Sequence, residues 1–148
     1  MKGLQQFTLA VLLLGLMSVF AAPIYAADGK KHNVVIQVSS GDAGTHKLAL
    51  NVAVNVQKAL GIDNVDVEVV AFGPGLGILT QGEKNKEAKR VSSLAMQDIK
   101  FSACANTMKK MTKKTGKEPT LVEGVNVVPA GAIRIMELQG QGYSYLRP

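Results

Sequence analysis

Residues 33–61 read NVVIQVSSGDAGTHKLALNVAVNVQKALG. The first six, NVVIQV, form a short apolar, β-branched run, which predicts a buried strand. SSGDAGT, residues 39–45, is a loop rich in hydroxyls and glycine. Leu48, Val52, Val56 and Leu60 then recur every four residues, with Ala49 and Ala53 beside them. That is one face of a helix, and Gly61 is suited to stop it. A strand, a loop and an amphipathic helix in this order are the unit from which the rest of the chain is built.

The unit repeats as pattern, not as sequence. DVEVVAFG, 66–73, predicts a second strand, and GPGLG, 73–77, breaks the chain after it. Glu87 to Met96 predicts a helix with Ala88, Val91 and Ala95 inward. IKFSAC, 99–104, is a third strand. A helix from near Asn106 to near Gly116 turns Met108 and Met111 inward and its lysines outward. VNVV, 125–128, is a fourth strand. Pro129 suits the first turn of a helix carrying Ile133, Met136 and Leu138, which stops by Gly140 or Gly142. YSYL, 143–146, is a short fifth strand. Strict alternation of strands and helices predicts an α/β fold: a three-layer sandwich around a five-stranded, mainly parallel sheet with right-handed crossovers. The flavodoxin-like strand order 2-1-3-4-5 is the natural arrangement at this length.

The N-terminus predicts the compartment. A positive start at Lys2, an apolar run FTLAVLLLGLMSVF at 7–20, and small residues before a cleavage point after Ala26 make a secretory signal peptide. The run is shorter than the ~18–20 apolar residues of a membrane span. Residues 1–26 are therefore expected to be removed, leaving 27–148 as a single domain in the periplasm or secreted, with no membrane attachment. The whole chain has 17 basic and 11 acidic residues. Lys100, Lys109, Lys110, Lys113, Lys114 and Lys117 fall in one stretch without an acid among them, a face that attracts anions or is simply solvated. No nucleic-acid motif accompanies the charge, Trp is absent and aromatics are few, so no nucleic-acid partner is expected.

Cys104 is the one cysteine. It excludes an intramolecular disulfide and, with no C-x-x-C, a thioredoxin-type oxidoreductase. His32 and His46 are not spaced as metal ligands with it and are expected on the surface, so no metal is expected. No cofactor is expected either: SSGDAGTH, 39–46, lacks the P-loop lysine, and GPGLG lacks the dinucleotide spacing. GPGLG reads instead as a turn that lets backbone approach a neighbour. In a parallel α/β sheet, ligands bind at the carboxyl edge of the strands. Ser39 and Ser40 end the first strand, Gly73 ends the second and Cys104 ends the third, so all three are expected there. Asn106 or a neighbour caps the following helix, whose N-terminus favours a thiolate. The same position also suits a small buried residue closing a strand.

The segments VVIQVSSGDAGTHKLALNVAVNVQKALG, VEVVAFGPGLGIL, IKFSACANTM and VVPAGAIRIMELQGQGYSYLRP, in this order, resemble the DsrE/DsrF-like sulfur-relay family, in its small exported branch, from about Asn33 to Pro148. The resemblance implies a three-layer α/β domain that assembles into trimers or hexamers. It implies that Cys104 accepts sulfane sulfur as a persulfide and passes it on. Asn106 and Thr107 match the polar residues after that cysteine, and Gly73 and Gly75 match the glycine turn beside it. The partners implied are a small sulfur anion or a donor or acceptor protein. Relay members work in the cytoplasm, whereas this chain carries an export signal. The alternative is a non-catalytic module in which Ser39, Ser40, Gly73, Gly75, Asn106 and Thr107 hold a small anion or nucleotide and Cys104 only packs.

Overall fold

The computed structural model describes residues 31–148, so the expected signal peptide at 1–26 lies outside the described residues. Five strands alternate with helices: β1 (His32–Val38), α1 (Ala43–Leu60), β2 (Val65–Ala71), α2 (Ala88–Ala95), β3 (Lys100–Cys104), α3 (Ala105–Thr115), β4 (Val125–Val128), α4 (Gly131–Gly140) and β5 (Ser144–Leu146). All strand pairings are parallel. The three-layer α/β architecture is as expected.

The strand order is not the flavodoxin-like 2-1-3-4-5 but β4-β3-β2-β1-β5. β3 extends the sheet beyond β2 instead of crossing back over β1. The physical consequence follows from handedness. Three successive right-handed crossovers in one direction place α1, α2 and α3 on the same face. Only the step from β4 to β5 reverses, and it carries α4 to the opposite face. The cores agree. Val34, Ile36 and Val38 of β1 and Val67, Val69 and Ala71 of β2 pack with Leu50, Val91 and Met108 from the three helices. Val35 and Val70 point the other way, to Ile135 and Leu138 of α4. Among the described residues, one face therefore holds most of the core, and the other has a single helix.

Local chemistry sets the boundaries. Asp42 caps α1, its Oδ2 accepting from the Thr45 amide at 2.7 Å. Gly61 closes the helix by donating to the Gln57 carbonyl. The buried stripe of α1 is His46, Ala49, Leu50 and Ala53, whereas Leu48 is 49% exposed and Val52, Val56 and Leu60 are half-buried. A strict four-residue row winds about 40° around the helix at each step, so it starts on the flank and only partly meets the sheet. In α4, likewise, Ile135 and Leu138 are buried, while Ile133 and Met136 face outward. A lone helix on a sheet needs only one narrow apolar stripe. Met108 of α3 and Val91 of α2 are buried as expected.

GPGLG is more than a turn. Gly73–Leu79 forms a 3₁₀ segment that buries Leu76, Ile78 and Leu79. A Cβ on Gly75 would lie 2.3 Å from the Val38 carbonyl oxygen, so only glycine lets this segment seat against the end of β1.

Candidate functional site: a thiol between two helix N-termini

In a parallel sheet the ligand crevice opens between neighbouring strands whose following connections leave to opposite faces. With the observed order those strands are β3 and β4. β3 runs into α3 on the crowded face, and β4 runs into α4 on the other. Cys104 is the last residue of β3 and pairs with Val128, the last of β4. The thiol is at the switch point, although that point is not beside β1 and β3 as the expected order would have it.

The sequence predicts Asn106 or a neighbour as the cap of α3, but the cap is Cys104 itself, and the helix begins at Ala105. α4 begins at Gly131 behind Ala130, two residues later than Pro129. No side-chain oxygen caps either helix. Their first-turn amides are left for the sulfur. Burial pushes the Cys104 thiol up, since the residue is 5% exposed. Hydrogen bonds from the Thr107 hydroxyl and from the amides of Gly131, Thr107 and Asn106 outweigh it, and the thiol is held below its ordinary range. The Thr107 hydroxyl also accepts from the Gly73 amide at 2.9 Å, which leaves its proton for the sulfur. Gly131 reaches this position because it lacks a side chain: a Cβ there would lie 2.9 Å from the Phe72 ring.

The structure thus brings Cys104, Asn106, Thr107 and Gly73 together, with Asn106 contributing its amide. Gly75 supports them from below by seating the 3₁₀ segment. Ser39 and Ser40 serve their own loop. The Ser39 hydroxyl accepts from Gln37, and the Ser40 hydroxyl accepts from the Asp42 amide. His46 is a correction: it is buried, not on the surface, and its Nε2–H donates to the Ser40 carbonyl at 2.8 Å. That bond pins the β1–α1 loop.

The lysines divide around α3. Lys110 and Lys114 line a groove of about 340 Å³ with Thr107, Met111, Gly73 and Pro74. Lys109 and Lys113 line a second hollow with Met108 and Val127. The first groove shares Thr107 and Gly73 with the thiol and presents two cations beside it. A polar hollow of about 410 Å³ lies at the opposite, amino edge of the sheet, among Lys31, Asp66 and Lys100, away from the thiol. Among the described residues, no three of His, Cys, Asp and Glu gather as a metal site.

Sequence reasoning missed Gly131 and a buried ion pair. Glu68 of β2 is 2% exposed. Arg134 of α4 donates to it through Nε at 2.8 Å and Nη2 at 2.7 Å, and the Ser102 hydroxyl donates at 2.6 Å. Burial raises the Glu68 carboxyl, but the bonds from Arg134 and Ser102 outweigh it and hold it below the usual range. A charged residue inside the VEVV run was the available signal.

Fold and site define a small α/β domain with one thiol at the carboxyl edge of a parallel sheet. Comparison with known proteins specifies the class. The model of the DsrE/DsrF-like family matches residues 32–148, and the chain belongs to that family. Among solved structures it is similar to the protein of unknown function MTH1491 from Methanobacterium thermoautotrophicum. That match has 30% identity and a TM-score of 0.71, and it covers 80% of this chain and 100% of the other. The ychN protein from E. coli shares the fold at 14% identity and a TM-score of 0.60, over 80% and 99% of the two chains. No curated protein matches.

Proposed function

We propose that this DsrE-like protein handles sulfur, with Cys104 as a sulfane-sulfur acceptor. The observation that carries the reading is the place of the one thiol: Cys104 ends β3 opposite the end of β4, stands as the N-cap of α3 with no side-chain oxygen in that role, and precedes Thr107, whose hydroxyl is anchored by the Gly73 amide. Family membership supports it. The Cys104 thiolate attacks the outer sulfur of thiosulfate or a polysulfide. A sulfur–sulfur bond forms, the donor's own sulfur–sulfur bond breaks, and sulfite or a shortened polysulfide leaves with the electron pair. The cysteine persulfide is itself an anion, so the same amides hold it. An acceptor thiolate then takes the outer sulfur and returns Cys104 to its thiolate. Lys110 and Lys114 draw the anionic donor into the groove beside Thr107. The protein acts after export, in the periplasm or outside the cell, and as a homo-oligomer of three or six copies. The exposed Ile133, Met136, Tyr145 and Leu146 on and beside the single-helix face support assembly.

The low exposure of Cys104 favours a second reading, in which the same groove binds a small anion and the thiol only packs. One experiment separates them: intact mass spectrometry of the protein before and after thiosulfate or polysulfide, with Cys104→Ser as control. Sulfur transfer requires a gain of whole sulfur atoms that reductant removes and the variant lacks. No adduct on a folded wild-type protein, or an equal adduct on Cys104→Ser, refutes it.

A further inference from the structure

Two helices start beside the thiol and are held very differently: α3 begins at the residue after Cys104, and α4 begins three residues after its strand partner Val128. α3 follows directly from Cys104 and cannot leave it. α4 is a separate element, the one helix on its face among the described residues, packed through Ile135 and Leu138 onto Val35 and Val70 with Phe72 and Tyr143 alongside. The apolar contact is small, so polar contacts carry much of the helix's position. The only bidentate ion pair between α4 and the sheet among the described residues is Arg134 with Glu68. Arg134 sits in the first turn, its amide donating to the Ala130 carbonyl at 3.0 Å, three residues from Gly131. Ser102, which completes the coordination of Glu68, precedes Cys104 by two residues and so shares its face of β3. The path closes a ring: from Cys104 to its partner Val128 at the end of β4, on to Gly131 at the start of α4, along one turn to Arg134, across to Glu68, to Ser102, and back along β3. The two points where α4 touches this ring are one helical turn apart, so fixing one orients the other.

We propose that Glu68, Ser102 and Arg134 form a positioning lock that holds the first turn of α4 against the strand carrying the thiol. The lock contributes no atom to the reaction. It keeps the Gly131 amide on the sulfur, and a planar guanidinium gripping a carboxylate at two points suits a task of orientation. Its consequence for sulfur transfer rests on the reading above; the lock itself concerns the thiol alone.

Glu68 shares the thiol's sheet face, Arg134 and Glu137 lie on α4, and Lys109, Lys110 and Lys114 lie on α3; Asp66 and Lys100 share the sheet face only at its far, amino edge, and β4 supplies no charge. The test must therefore separate position from charge. The pH profile of Cys104 alkylation by iodoacetamide is measured on the folded protein, Arg134→Lys, Arg134→Met and the double variant Glu68→Gln/Arg134→Met. Arg134→Lys keeps the charge and loses the two-point grip. All three variants should move the alkylation midpoint to higher pH and lower the thiolate fraction at neutral pH about threefold to tenfold, the effect of loosening one amide hydrogen bond. An Arg134→Lys protein that alkylates like wild type overturns the proposal. So does a double variant restored to the wild-type profile, because Arg134 would then act through charge alone. If the Arg134 variants do not fold, Ser102→Ala carries the test: it should shift the midpoint in the same direction, and an unchanged profile overturns the lock. Alkylation needs no sulfur donor. A wild-type thiol that shifts as expected in the variants yet never takes up sulfur would refute sulfur transfer and leave the lock standing.

Discussion

Gly75→Ala is the substitution whose outcome the structure sets most sharply. The added Cβ would lie 2.3 Å from the Val38 oxygen, 2.6 Å from the Val38 carbonyl carbon and 2.8 Å from the Ser39 nitrogen. All three atoms are backbone, so no side chain can rotate aside. To reach ordinary contact the 3₁₀ segment must retreat from β1 by about 1 Å. That segment carries Leu76, Ile78 and Leu79, each fully buried, and their packing loosens with it. Overpacking a core costs about 1–3 kcal/mol, and with backbone on both sides of the clash the upper end applies, about 3 kcal/mol. For a domain of this size that is a fall in Tm of roughly 12 °C. Gly77→Ala is the internal control. It lies in the same segment, and its Cβ would meet only the His46 ring at 3.8 Å. It should be neutral or gain about 0.5 kcal/mol by restricting the unfolded chain. Urea unfolding of both variants, with thermal melts alongside, measures the gap. A Gly75→Ala protein within about 0.5 kcal/mol of Gly77→Ala would refute the close-approach argument. The retreat would also carry the Gly73 amide off Thr107, so Cys104 alkylation should slow in Gly75→Ala alone.

Three further outcomes are expected. Thr107→Val removes the hydroxyl that bridges Gly73 and Cys104; the alkylation midpoint should rise and stability fall by about 1 kcal/mol, measured by the same two assays. Glu68 titrates below its ordinary value in the folded state. Its stabilisation is therefore complete above the usual glutamate pKa of about 4.3 and is lost as pH falls through the depressed folded value. Melts from pH 7 to pH 2 should show this acid loss, and Glu68→Gln/Arg134→Met should flatten it. The pair Lys110→Glu/Lys114→Glu, both exposed, should leave the melt unchanged. It should slow sulfur loading from thiosulfate about tenfold at low salt, with the gap closing as salt rises; equal rates at all salt concentrations would remove the groove from the path of the donor.

The sequence alone determined the element list, because strands and helices announce themselves locally. The apolar runs at 33–38, 66–71 and 99–104 have nowhere to go but a buried parallel sheet, and the lone cysteine at the end of the third placed a thiol at the carboxyl edge. What it could not determine was anything set by which strand lies beside which. The order β4-β3-β2-β1-β5 depends on whether β3 crosses back over β1 or extends beyond β2, and the apolar runs suit a buried strand in either case. The inward stripes of α1 and α4 were misread for a related reason: Leu48, Ile133 and Met136 are apolar, and only the position of the sheet decides which apolar side chains face it. The site was half legible. Asn106 and Thr107 follow Cys104 by two and three residues, so chain connectivity brings them to the sulfur. Gly131 is twenty-seven residues away, and its approach depends on α4 crossing on the far face; Glu68, thirty-six away, bears on the site only through Arg134 and Ser102. A helix cap is local chemistry, and a pattern of neighbours reveals it. A second helix aimed at the same atom, and the ion pair that aims it, are long-range contacts, which tertiary packing alone selects.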